Sequence, residues 1–250
     1  MGTVAISILC KTRLTVMGPD SSGSLARQSA PALLRLLQLV SPALPVGAYN
    51  FSQGLEFAVD AGWVNDERTA LDWISGLAIR SVGTLDIPLL SRLYLAWDVG
   101  DALAVNHWNG HLLAARETAE LRAEERHMGS ALAKILVQAG IDEATSWQHS
   151  GQATFAAMFA LAACRWHIPL QDAACGYVWS WAENQVLGAM KLVPLGQNAG
   201  QRLLGELGAG IPAIVAKGVA MAEKEIGIGC PQHAVASALH ESQYSRLFRS

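Results

Sequence analysis

From Pro31 onward, apolar positions recur at helical spacing almost everywhere, and no stretch alternates as a half-buried strand does. Residues 33–40 (LLRLLQLV) open the pattern, and SPALP (41–45) stops it, because two prolines exclude a helix interior. Ser52 is placed to cap a short helix ending near Gly62, and Asp66 to cap the next. Leu71, Ile74, Leu77, Ala78 and Val82 put one apolar stripe on that second helix. Thr84 is expected to cap another, with Pro88 in its early turns. A long pattern begins at Asp101 and reaches Ala139, with a break near Gly110 or Ala115. Further helices are expected from Ser146 to His167, from Asp172 to Lys191 and from Asn198 to about Gly227, where Pro212 marks a kink or break. Pro231 to about Glu241 forms the last. The pattern predicts an all-α, single-domain helical bundle of about ten helices over residues 31–250, with no significant sheet and no internal repeat. Residues 1–30, with the turn-forming GPDSSGSLARQS (18–29), read as a flexible N-terminal extension.

Composition narrows the classes. With Gly counted and Tyr left out, the apolar share is roughly 59%, against roughly 45–50% in typical soluble domains. Only 16% of residues are charged, and the net charge is −3 with no basic block, which argues against disorder and against nucleic-acid binding. The surplus of apolar residues suggests a membrane or an assembly. The best membrane candidate, residues 155–164, is far shorter than a spanning helix and is bounded by Gln152 and Arg165, so it reads as a buried helix of a soluble protein. The N-terminus lacks the basic start and cleavage site of a signal peptide, and Ile6 breaks the myristoylation pattern. Four cysteines are too few for a disulfide scaffold at this length. These features point to a reduced, cytoplasmic protein.

Candidate chemistry is sparse. His107 and His111 have the i, i+4 spacing of a metal pair, but Trp108 stands where a zinc-protease helix has Glu. Cys164/His167 and Cys230/His233 form two C-x-x-H pairs, ligands suited to zinc or nickel but far apart in sequence. No P-loop or nucleophile elbow occurs. The densest charged stretch is RETAELRAEERHMG (116–129), which reads either as a solvated helix face or as a partner-facing patch. Lys191 precedes a Pro-Leu-Gly turn, where it is either a helix C-terminal cation or a binding group. The amides after Gly196 are placed to receive an anion. The last residues, YSRLFRS (244–250), have the aromatic and arginine content of an interface anchor.

Six segments taken together resemble the urease accessory protein F family: LLQLVSPALPVGAYNFSQGLE (36–56), AGWV (61–64), LDIPLL (85–90), RETAELRAEERHMG (116–129), WAENQVLGAMKLVPLGQNAGQRLL (181–204) and YSRLFRS (244–250). Tyr49-Asn50-Phe51 departs from the expected Phe-Ser-Tyr, and the N-terminal extension has no counterpart. The resemblance implies an all-helical, non-enzymatic chaperone for metallocentre assembly. By it, the protein would join accessory protein D (H in some organisms) and the GTPase G into a complex that docks on apo-urease, with GTP hydrolysis coupled to nickel insertion. It would be a homodimer, would bind no cofactor tightly, and would leave nickel cations to the complex.

Carried over by position, Lys191, Pro194, Leu195, Gly196, Gln197 and Arg202 fall in the family signature and are expected on the GTPase side. Tyr244, Arg246, Leu247, Phe248 and Arg249 match the C-terminus expected to order against accessory protein D. Glu117, Arg122 and Glu125 are candidates for dimer contact or helix pairing, and Glu56 for a buried partner. The rival reading is a helical metal-binding enzyme using His107, His111, Cys230 or His233.

Overall fold

The structure is a computed structural model that describes residues 29–227 and 230–250. The expected N-terminal extension falls, but for its last two residues, outside the described residues. Among the described residues ten α-helices follow one another: α1 Ala30–Leu39, α2 Leu55–Asp60, α3 Glu67–Leu77, α4 Ile87–Val99, α5 Ala102–Ala115, α6 Ala119–Gln138, α7 Phe155–Arg165, α8 Leu170–Leu192, α9 Gln197–Val219 and α10 Pro231–His240. Among the described residues there is no strand, so the chain is an all-α single domain.

The core forms around α7. Each residue from Phe155 to Cys164 is buried, so this helix has no solvent face. It packs against α4, α6 and α8. Among the described residues, no helix is long and apolar enough to cross a membrane. A second apolar cluster joins α2, α3, α8, α9 and α10 through Leu55, Ile74, Val186, Leu203 and Ala236. The long helix α8 thus takes part in both clusters.

Local signals set most boundaries. Asp66 and Thr69 form a reciprocal capping box at the start of α3. The pattern from Asp101 to Ala139 breaks after Ala115, and Thr118 caps α6 through the Leu121 amide. Pro212 lies inside α9 without ending it.

The helix expected to run to about Gly227 ends at Val219, and three further boundaries differ from expectation. Thr84 caps nothing. Residues 78–86 form a π-helical bridge that carries α3 directly into α4, and the Thr84 hydroxyl donates to the Arg80 carbonyl instead. Pro88 has no amide for the Thr84 carbonyl, and the Gly227 amide donates to that carbonyl at 3.0 Å. Secondly, α7 starts at Phe155 rather than near Ser146. Thr154 caps it through the Ala157 amide, and Asn109 of α5 ties down the preceding chain through Gln152 and Thr154. Thirdly, α2 starts at Leu55 behind Gly54, which has φ +78°. Ser52 still receives the Glu56 amide on its hydroxyl.

Candidate functional site

The C-terminal tail is built into the fold. Beyond α10, the chain turns back across α2. The Leu247 and Phe248 amides both donate to the Glu56 carboxylate, at 2.6 and 2.8 Å. The Arg249 amide donates to the Asn50 carbonyl at 2.7 Å. The Ser52 amide and hydroxyl both donate to the Ser250 backbone oxygen. Side chains then alternate: Phe248 and Ser250 are buried, whereas Leu247 and Arg249 face out. Tyr244 is fully exposed. Arg246 pairs with Glu120 at the start of α6.

The Lys191 turn lies beside this tail. Lys191 ends α8 on the surface, and its Nζ sits 5.4 Å from the centre of the Phe248 ring. Pro194, Gly196 and Gln197 are exposed and Leu195 is half-buried. Arg202, one turn further along α9, is engaged by both carboxylate oxygens of Glu67 on α3. Two groups of residues that the sequence places about fifty positions apart therefore meet where Lys191 touches Phe248.

Beneath the surface lies a charge cluster that sequence reasoning missed. Arg116, between α5 and α6, donates to both oxygens of Asp86 and, from Nε and Nη2, to Glu125. Tyr177 of α8 donates to Asp86, and the Phe155 amide of α7 to the second oxygen of Glu125. Every carboxylate oxygen of the pair accepts a hydrogen bond from within the chain. The cluster thus ties the bridge, α6, α7 and α8 together. Burial opposes the Arg116 charge, but Asp86 and Glu125 outweigh it and hold the guanidinium charged well beyond its usual range. Burial raises both Glu125 and Tyr177. Glu117, Arg122 and Glu125 consequently do not form one surface patch. Glu117 faces solvent, Arg122 reaches back to the Arg116 carbonyl, and Glu125 is inside.

The cluster floors a cleft of about 970 Å³, its open mouth included, walled by Leu44, Val46, Met128 and Trp181, with Tyr49 and Leu187 at the rim. Glu124 lies on this floor, held by Gln53 and Ser250. Burial pushes its carboxyl up to about 7. Burial first, and then the nearby Arg116 charge, push His233 of α10 down to about 4.

These two shifts act oppositely on stability. Between about pH 4.5 and 7, folded Glu124 keeps a proton that the unfolded chain releases, so its contribution falls as pH rises. Between about pH 4 and 6.5, folded His233 lacks a proton that the unfolded chain binds, so its contribution rises with pH. Glu124→Gln still offers a carbonyl to the Gln53 amide, presents its own amide to the Ser250 hydroxyl, and abolishes the first effect. The variant is expected to gain stability over the parent steadily as pH rises through that window. Urea midpoints at several pH values check it, and parallel curves for the two proteins would refute the buried proton.

The metal candidates are scattered. His107 and His111 lie on α5 with ring centres 6.4 Å apart. The Cys164 thiol contacts Asp98 and Arg165 at the end of α7, while His167 is exposed in the turn that follows. Cys230 stands at the N-terminal end of α10 with no side-chain cap bond, and among the described residues His233 is buried with no partner on Nε2. Among the described residues, no three His, Cys, Asp or Glu side chains are grouped to hold a metal ion.

Comparison with known proteins identifies the family. The family model for UreF matches residues 64–208. The urease accessory protein UreF of Alkalilimnicola ehrlichii is 50% identical over 216 residues, covering 86% of this chain and 95% of that protein. Those of Teredinibacter turnerae and Pseudomonas putida are 48% and 47% identical, each over 98% of its own length. By this similarity over nearly the full length of its relatives, the chain belongs to the UreF family of urease accessory proteins.

Proposed function

We propose that this protein is a cytoplasmic, non-catalytic adaptor in urease maturation. In this reading it joins accessory protein D (or H) and the GTPase G into a complex that docks on apo-urease. Nickel is the cargo of that complex, passed on with GTP hydrolysis, and the adaptor holds no cofactor of its own. The Lys191 turn, with Pro194, Leu195, Gly196 and Gln197, faces the GTPase. The tail, through Tyr244, Leu247 and Arg249, meets accessory protein D. The observation that carries the reading is the contact between the Lys191 ammonium and the Phe248 ring in a chain that shares about half its residues with urease accessory proteins. It makes the two expected partner surfaces neighbours, as an adaptor requires.

The unpaired apolar surface supports assembly as well. Leu34 and Leu37 on α1, Val99 and Leu103 around the α4–α5 turn, and Leu247 are all more than half exposed. Such surface favours a homodimer and partner contact over an isolated monomer.

Co-expression with D and G tests the proposal. The three proteins are expected to elute together, and elution apart under mild conditions would sink it. Lys191→Ala is expected to leave the fold and the complex with D intact while lowering GTP- and nickel-dependent urease activation several-fold. Lys191→Arg, which keeps the charge over Phe248, should restore part of it. Full activation by the alanine variant would make Lys191 a purely structural residue.

A further inference from the structure

His240, the last residue of α10, is wholly buried, and both of its ring nitrogens meet carboxylates. Nδ1 lies 2.7 Å from Glu120 Oε2, and Nε2 lies 3.2 Å from Glu56 Oε2. An ionised carboxylate only accepts hydrogen bonds. Both contacts are therefore hydrogen bonds only when the ring carries hydrogen on both nitrogens, or when one of the two carboxyls carries a proton. In either case the three groups together hold one proton more than a neutral imidazole and two free carboxylates.

The same two carboxylates hold the tail. Glu56 receives the Leu247 and Phe248 amides, and Glu120 receives Arg246. Glu56 belongs to α2, Glu120 to α6 and His240 to α10, so the extra proton sits where three helices and the tail converge. The remaining charged groups around the ring are accounted for. Glu241 caps α6 through the Ala119 and Glu120 amides. Ser237, one turn back on α10, bonds Thr118. His233, further along that helix, faces the Arg116–Asp86 pair instead.

We propose that Glu56, His240 and Glu120 form a proton-dependent clasp that positions residues 246–248 on the body of the protein. When the shared proton leaves, the ring can satisfy only one carboxylate. The other is then left facing a lone pair in a buried site, a repulsive contact. The clasp weakens, and with it the hold on the tail. The sign follows: the closed tail binds the extra proton, so closure is favoured at lower pH and loosens as pH rises. The arrangement is a property of this chain alone and stands whether or not the tail meets accessory protein D.

Amide hydrogen exchange on the full-length protein, from about pH 5.5 to about pH 9, brackets the range where histidine normally titrates. Protection factors of Leu247 and Phe248, corrected for intrinsic exchange, are expected to fall as pH rises, by at most about tenfold per unit for one released proton. Nitrogen-15 spectra of labelled histidine read which ring nitrogens of His240 carry hydrogen when the tail is protected. Glu120→Gln is the decisive variant. Its amide can donate to Nδ1 of a neutral ring while its oxygen still accepts from Arg246, so no extra proton is needed. The tail amides of this variant should stay protected with no pH dependence. His240→Gln, read in the same way, guards against a local effect of the glutamine. Flat protection factors in the parent protein, or an unchanged pH dependence in Glu120→Gln, would overturn the proposal.

Discussion

Arg116→Ala is expected to cost the fold about 3–5 kcal/mol, the scale for removing one partner of a buried ion pair. Among the described residues, Arg116 is the one cation paired with Asp86 and Glu125, and all three residues are less than a tenth exposed. Without the guanidinium, Asp86 loses two of its three hydrogen bonds and Glu125 keeps only the Phe155 amide. Two carboxylates then face each other in a site that cannot hydrate them cheaply. Arg116→Lys recovers only part of the loss, since a single ammonium cannot reproduce the forked contact to two carboxylates. Urea unfolding of the variants measures the effect. In an Asp86→Asn, Glu125→Gln background the cost of removing Arg116 should shrink, which identifies unpaired charge rather than lost packing as its origin. A loss below about 1 kcal/mol in the parent background would mean that water from the adjoining cleft solvates the cluster.

The loss should also reach the partner surface. Glu124 is next to Glu125 in sequence, and it holds Gln53 and Ser250. Gln53 in turn accepts the Trp181 indole, and Ser250 ends the tail that the Ser52 amide grips. The tail therefore rests on the same floor as the charge cluster, and loosening one is expected to loosen the other.

Helix content was open to reading because it is local. The Asp66 cap, the break after Ala115 and the fully apolar run of α7 each need only neighbouring residues to be recognised. The π-helical bridge was not, because its sequence is ordinary for a helix. The Thr84 carbonyl in it is taken by the amide of Gly227, more than a hundred residues away, and Asp86 by Arg116. Thr84 looked like a cap for the same reason, since a hydroxyl before a proline is a cap signal until the next helix proves continuous with the last. The charged stretch 116–129 was the hardest to judge. Charge density suggested an exposed face, yet Arg116, Glu124 and Glu125 are buried. Their partners come from Asp86, Phe155, Gln53 and Ser250, which no window of sequence brings together. Glu56, by contrast, was legible as the receiver of a buried partner, although the partner proved to be the chain's own tail.

Gly129→Ala is the second substitution with a large expected effect, and it separates steric fit from helix propensity. Gly129 is in the middle of α6 and buried. A β-carbon there would meet the Ala153 carbonyl oxygen and stand 2.6 Å from the Thr154 carbonyl carbon. These are backbone atoms, and the segment that carries them cannot retreat. Asn109 holds Thr154, Glu125 holds the Phe155 amide, and Ser130 holds the Gln148 carbonyl. Alanine gains about 1 kcal/mol of helix propensity over glycine, whereas overpacking a rigid site costs about 1–3 kcal/mol or more. With both walls pinned, the upper end applies, and a net loss of about 2 kcal/mol is expected. Gly205 supplies the contrast. It lies inside α9 on the exposed side, and a β-carbon there meets nothing within 4 Å. Gly205→Ala should gain up to about 1 kcal/mol from propensity alone. Opposite signs in the two thermal midpoints would show that α6 lies as close to the Ala153–Thr154 backbone as only glycine permits. A stabilised Gly129→Ala would mean that the segment before α7 yields, and that the Asn109 and Glu125 contacts do not fix it.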